Sequence, residues 1–168
     1  MSADNQQERL DAYITGFVDG EGSFHVAIQK VKHVKFGYQL VPEFQVSQNL
    51  DYVKPLELIK SRLDCGYLKP NHAKNSRDTS YVYLVRNRFD LLNKVIPFFN
   101  KNKLFSPKQN DFEKFAFIVR EMSCKTHLCE RGFIKLLEIA YSMNRSGIYR
   151  KQPIESIIEH IESSTTIR

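Results

Sequence analysis

Apolar residues change their period several times along the chain, and each change marks an element. Over residues 8–19, Leu10, Tyr13, Ile14, Phe17 and Val18 recur at helical spacing and form one broad apolar face. Residues 20–23 break that helix with two glycines. The period then becomes two. Phe24, Val26 and Ile28 alternate with Ser23, His25, Ala27 and Gln29, and further on Leu40, Phe44 and Val46 alternate with Gln39, Val41, Glu43, Gln45 and Ser47. These are two half-buried strands of a hairpin, with Pro42 marking a bulge or an edge. Helical spacing returns over residues 53–63. A second strand pair follows at 66–70 and 79–86 around a polar loop at 71–78. Further helices are expected at 89–99, 112–122, 133–143 and 154–161, with a basic linker over 101–107. Residues 1–7 read as a flexible N-terminal tail and 8–168 as a single domain. The order α-β-β-α-β-β-α, with extra C-terminal helices, predicts an α+β fold in which an antiparallel sheet carries helices on one face.

Composition narrows the partners. Apolar residues make up 42% of the 168, enough for a real core. Lys and Arg outnumber Asp and Glu by 25 to 19, and a net charge of +6 suits a polyanion such as nucleic acid or an anionic membrane surface. Three cysteines, Cys65, Cys124 and Cys129, are too few and odd in number for a disulfide framework and point to a reducing compartment. The first seven residues are polar and lack the apolar core of a signal peptide, and no apolar run is long enough to span a bilayer. An intracellular protein without membrane association is therefore expected, with cytoplasm, nucleoid and organelle matrix all open. Cys124, His127 and Cys129 lack a second ligand pair at zinc spacing. Gly20-x-Gly22 follows a helix and not a strand, so it is not a dinucleotide loop.

The first helix has a second stripe. Ala12, Gly16 and Gly20 fall at steps of four. Glycine inside a helix costs about 1 kcal/mol relative to alanine, so the stripe points to close approach of another backbone. At its end Asp19-Gly20-Glu21-Gly22 places two carboxylates at a tight turn, either a solvated acidic turn or ligands for a hard cation with help from a backbone carbonyl. The whole string Ile14-Thr15-Gly16-Phe17-Val18-Asp19-Gly20-Glu21-Gly22-Ser23 resembles the signature of the LAGLIDADG homing endonucleases. Phe44-Gln45-Val46-Ser47-Gln48, Gly66-Tyr67, Ile96-Pro97-Phe98-Phe99, Lys108-Gln109 and the stretch from His127-Leu128 to Met143-Asn144 extend the resemblance over residues 8–145, in the family's order and spacing. No second copy of the motif follows in the sequence.

The resemblance implies a saddle-shaped sheet and, from the single motif, a homodimer. Its first helices would pack through Ala12, Thr15, Gly16 and Gly20, with Asp19 at the same contact; relatives usually carry a smaller residue at the Thr15 position. Glu21 would bind the catalytic cation beside the carbonyl of Gly20, with Mg²⁺ as cofactor and Mn²⁺ or Ca²⁺ able to replace it for binding. Asp19 would finish the helix and order the turn. Gln48 would orient the attacking water. Lys108, with Lys101 and Lys103 as runners-up, would stand near the scissile phosphate, stabilising charge or simply holding the phosphate. The polar face formed by His25, Ala27, Gln29, Gln39, Glu43, Gln45, Lys69, Asn71, Ser80 and Val82 would enter the major groove, where Gln pairs with adenine and Glu accepts from cytosine. Lys32, Lys35, Lys54, Lys60, Lys74 and Arg77 are candidate phosphate contacts. The expected function is that of a site-specific, intron-encoded endonuclease hydrolysing double-stranded DNA at a long pseudo-palindromic site. The alternative on the same fold is a non-catalytic binder, either a maturase that assists splicing of intron RNA or a DNA-binding regulator.

Overall fold

In the computed structural model, residues 3–71, 79–145 and 150–166 are described. The expected polar loop at 71–78, with Lys74 and Arg77, falls outside them except for Asn71. The chain runs α1 (Ala3–Glu21), β1 (Gly22–Lys30), β2 (Tyr38–Asn49), a 3-10 turn (Leu50–Tyr52), α2 (Lys54–Leu63), β3 (Tyr67–Pro70) and β4 (Ser80–Val85). It continues through α3 (Arg88–Asp90), a π-helical turn (Leu91–Val95), α4 (Ile96–Lys101), α5 (Lys108–Ser123), a 3-10 turn (Thr126–Leu128), α6 (Glu130–Tyr141) and α7 (Ile154–Thr166). The four strands form one sheet in the order β1-β2-β4-β3, and β4 pairs antiparallel with both β2 and β3. The predicted α+β element order is therefore the observed one. Two compact units make up the chain: Met1–Phe24 with Glu43–Asn110, and His25–Pro42 with Asp111–Arg168.

In the first unit, α1 begins at Ala3, so most of the expected tail is helical. Its opening residues Gln6, Gln7, Glu8 and Arg9 are good helix formers, and Asp4 in the first turn complements the helix dipole. Ile14 and Val18 are fully buried on its inward side. Tyr13, expected on that side, is 48% exposed. The core is aromatic: Phe24 stacks on Phe44 at 4.9 Å and meets Phe99 edge-on at 5.3 Å, and Phe44 and Phe99 lie 5.5 Å apart. Gly66 turns the chain into β3 at φ +69°, where a Cβ would sit 2.7 Å from the Leu84 carbonyl oxygen, so only glycine fits. The helix expected at 89–99 is interrupted by the π-helical turn. Asn87 caps its start by accepting from the amides of Phe89 and Asp90, and Pro97, which has no N–H to donate, lies just past the π-helical turn in the first turn of α4.

In the second unit, the hairpin arm 25–42 turns at Gly37, also at φ +69°, with the Val31 amide donating to the Gly37 carbonyl at 2.8 Å. Phe36 packs on Phe133 at 5.2 Å, and Tyr38 and Leu40 are buried. Arg150 closes the unit. Its guanidinium donates to the carbonyls of Val26 at 3.1 Å and Ala140 at 2.8 Å, and it lies 4.7 Å from the Tyr141 ring.

Candidate active site and nucleic-acid interface

The acidic turn at the end of α1 is held from one side by the segment that precedes α5. The carboxylate of Asp19 accepts from the backbone amides of Phe105 at 3.0 Å and Ser106 at 3.1 Å, and from the Ser106 hydroxyl. Burial pushes the Asp19 carboxyl up. The hydrogen bonds from the Ser106 side chain and the two amides, together with the Lys108 charge, outweigh this and hold it below the usual carboxylate range. The Lys108 ammonium donates to the carbonyls of Val18 at 2.9 Å, Asp19 at 2.7 Å and Gly20 at 3.2 Å. A cation on the last carbonyls of a helix satisfies groups that have no intrahelical partner and complements the dipole. Asp19 thus orders the turn, and Lys108, 88 residues from Gly20, is brought onto it.

Glu21 and Gly20 are exposed on this braced turn. Together they offer a carboxylate and a carbonyl oxygen, both hard donors. Among the described residues no three His, Cys, Asp or Glu side chains cluster as a self-sufficient metal cage. A partial oxygen set of this kind fits Mg²⁺, which commonly takes one or two carboxylates and completes its shell with substrate phosphates and water. Gln48 lies near the end of β2, half-buried and paired in register with Tyr81, and its side-chain oxygen accepts from the Asn49 amide at 3.0 Å. Lys103 is exposed on the linker, and the charge of the exposed Lys101 acts on Asp11.

The outward face of α1 carries Ala12, Tyr13, Gly16 and Gly20, all exposed, with the Phe17 ring 6.1 Å from that of Tyr13. A Cβ built on Gly16 or Gly20 meets nothing within 4 Å. Thr15, expected on this face, turns inward. It is 6% exposed, and its hydroxyl donates to the Asp11 carbonyl at 2.7 Å. The inward side also holds Asp11, which the apolar spacing did not single out. It is 3% exposed and takes two hydrogen bonds from Arg62, at 2.6 and 2.9 Å. An acid at the same helical phase as Ile14 and Val18 was the available signal, since a carboxylate there requires a partner.

In the first unit, register places Gln45 opposite Leu84 and Ser47 opposite Val82, with Lys69 on the other side of Val82. Opposed residues share a face, so Gln45, Ser47, Lys69, Ser80 and Val82 form one surface, as the alternation predicts. Asn71 is exposed just past β3. Val82 is only 3% exposed and offers little surface. Glu43 shares the face of Gln45 but is 5% exposed, and its carboxylate is ion-paired with Arg86. It is therefore corrected from a base-reading acid to a buried partner. In the second unit, Gln29 and Gln39 are exposed, and His25 and Ala27 are half-buried beside fully buried Val26. Of the candidate phosphate contacts, Lys32, Lys54 and Lys60 are exposed, and the Lys35 ammonium donates to the Leu128 carbonyl at 3.2 Å. No described helix is long and apolar enough to cross a membrane.

A four-stranded antiparallel sheet entered by a helix that ends in a braced acidic turn defines a class of fold, and comparison with known proteins places the chain within it. Residues 14–119 match the family model described as LAGLIDADG endonuclease. The chain belongs to that family. It is 32% identical over 110 residues to the probable intron-encoded DNA endonuclease 1 of Mycosarcoma maydis, covering 66% of this chain and 37% of that relative. It thus spans little more than a third of that curated relative's length. Among solved structures, the homing endonuclease I-TnaI superposes with a TM-score of 0.76 at 34% identity, covering 92% of this chain and 97% of the other. The archaeal intron-encoded homing endonuclease I-Vdi141I, complexed with DNA, superposes with a TM-score of 0.83 at 29% identity, covering 98% and 99%.

Proposed function

We propose that this chain is a homing-type endonuclease that hydrolyses both strands of a DNA duplex, acting as a symmetric homodimer with divalent metal at Glu21. The observation that carries the reading is the exposed Glu21 on a turn fixed by Asp19 and Lys108, beside an open glycine face. Family membership and the DNA-bound and intron-encoded relatives support it.

Two copies meeting through Ala12, Gly16 and Gly20 would bring two Glu21 carboxylates near one axis, one for each strand. Glu21 and the Gly20 carbonyl would hold Mg²⁺. Such a cation, when bound, acidifies water and stabilises charge on the phosphoryl oxygens. Asp19 keeps the turn from shifting, which matters because a displacement of about 1 Å at a reacting centre costs on the order of 100-fold in rate. Lys108 fixes the end of α1 and adds a positive charge beside the position of the phosphate. Gln48 can hydrogen-bond the attacking water. The sheet face binds the major groove, and the net charge of +6 favours the duplex. An origin in an intron reading frame is supported by the intron-encoded relatives.

The test uses duplexes recovered from a randomised library by cleavage with the purified protein and Mg²⁺. Glu21→Gln is expected to lower cleavage of a recovered duplex by at least about 1,000-fold, while its Kd measured in Ca²⁺ stays within about tenfold. Cleavage by Glu21→Gln at the native rate, or by the native protein in excess chelator, would contradict the reading.

A further inference from the structure

We infer that Arg86, held by Glu43, reads one guanine in each half of the DNA site. The inference rests on the endonuclease reading above and assigns a base contact to a residue outside the expected set.

The geometry begins with register. Phe44 pairs with Val85 at the end of the β2–β4 ladder, and Glu43 and Arg86 are the residues that flank this pair. Glu43 shares the face of Gln45 and Ser47, and its ion pair with Arg86 Nε places the guanidinium on that same face. The two partners differ sharply in exposure. The Glu43 side chain is 7% exposed and that of Arg86 46%. A carboxylate so buried is stable only when paired, so Glu43 acts as a fixed anchor. The ion pair is made at Nε, and the Arg86 side chain as a whole stays half-exposed.

Two parallel N–H groups in a plane match the O6 and N7 acceptors of guanine in the major groove. Arginine ordered beforehand by a buried acid loses less side-chain entropy on binding than a free one. A solitary surface arginine meeting phosphate would need no buried carboxylate behind it. Glu43 itself, an acceptor only, would have favoured cytosine. Its burial reverses the expected preference, because the group presented at this register is a donor. Arg86 is thus a specificity-determining residue and Glu43 its positioning residue.

The test profiles base preference at every position of a library-recovered duplex for the native protein and for Arg86→Ala, Arg86→Lys, Glu43→Gln and the double variant Glu43→Gln/Arg86→Ala. The native protein is expected to require guanine at one position per half-site by about 10- to 100-fold. Replacing that guanine with 7-deazaguanine, which lacks the N7 acceptor, should weaken native binding by about tenfold and leave binding by Arg86→Ala unaffected. Arg86→Ala and Arg86→Lys should flatten preference at that position alone. Glu43→Gln should reduce preference at the same position, and do nothing further once Arg86 is gone. The double variant leaves no unpaired buried charge, so loss of preference there cannot be assigned to misfolding. The inference is overturned if Arg86→Ala keeps the full preference profile. It is equally overturned if Arg86→Ala weakens all sequences alike with a shallower salt dependence, the mark of a phosphate contact. Recovery of no duplex by the native protein would overturn the endonuclease reading and this inference together. A native protein that cuts, with an unchanged profile in Arg86→Ala, overturns only the inference.

Discussion

Asp19 and Asp11 lie eight residues apart on one helix, and both are held ionised by the fold. Burial raises the Asp11 carboxyl, but hydrogen bonds from Arg62 and Gln7 and the charges of Arg62 and Lys101 more than reverse this. Asp19 is lowered in the same net direction by Ser106, Phe105 and Lys108. A carboxyl with a depressed folded pKa contributes stability that is fully present above its unfolded value, about 4, and is lost as pH falls through the lower folded value. The protein should therefore lose stability below about pH 4. Asp11→Asn and Asp19→Asn should each make that loss shallower while lowering the plateau at pH 7 by about 1–3 kcal/mol. Denaturant unfolding at a series of pH values measures both, and an unchanged acid limb in both variants would refute the assignment. Because Asp19 also fixes the turn bearing Glu21, Asp19→Asn should slow cleavage more than Asp11→Asn does, whereas Asp11 should act through stability.

Among the elements, α1 shows most clearly what the spacing of residues can and cannot reveal. Periodicity located the helix, its buried Ile14 and Val18, and the exposed small stripe of Ala12, Gly16 and Gly20. It misplaced Tyr13, because helical phase defines an arc and the edges of an arc are decided by neighbours distant in sequence; Thr15, which the resemblance had put at the helix contact, turns inward instead. Strand alternation likewise put Glu43 on the correct face. No period-two pattern encodes its burial or its ion pair with Arg86, 43 positions later. The braces on the acidic turn, 86 to 90 residues away in sequence, were invisible for the same reason, although Lys108 had been singled out by resemblance. The glycine stripe yields a sharp prediction. A side chain at Gly16 has open space in the single chain and should even favour the helix by about 0.5–1 kcal/mol if alanine is used. Gly16→Leu should keep the folded chain intact yet block close approach of a second copy. Light scattering should then show a dimer for the native protein and a monomer for Gly16→Leu. A dimer of unchanged affinity would place the contact elsewhere.

For the whole molecule, the basic charge, the polar sheet face and the acidic turn belong to one account only if two chains act together, each supplying one Glu21. That claim is open to a single direct measurement. Differently tagged native and Glu21→Gln chains are mixed, the mixed dimer is isolated, and its product on a recovered supercoiled plasmid site is read in Mg²⁺. One acid for each strand predicts nicked circles and almost no linear DNA. A mixed dimer that linearises the plasmid as fast as the native protein would contradict it.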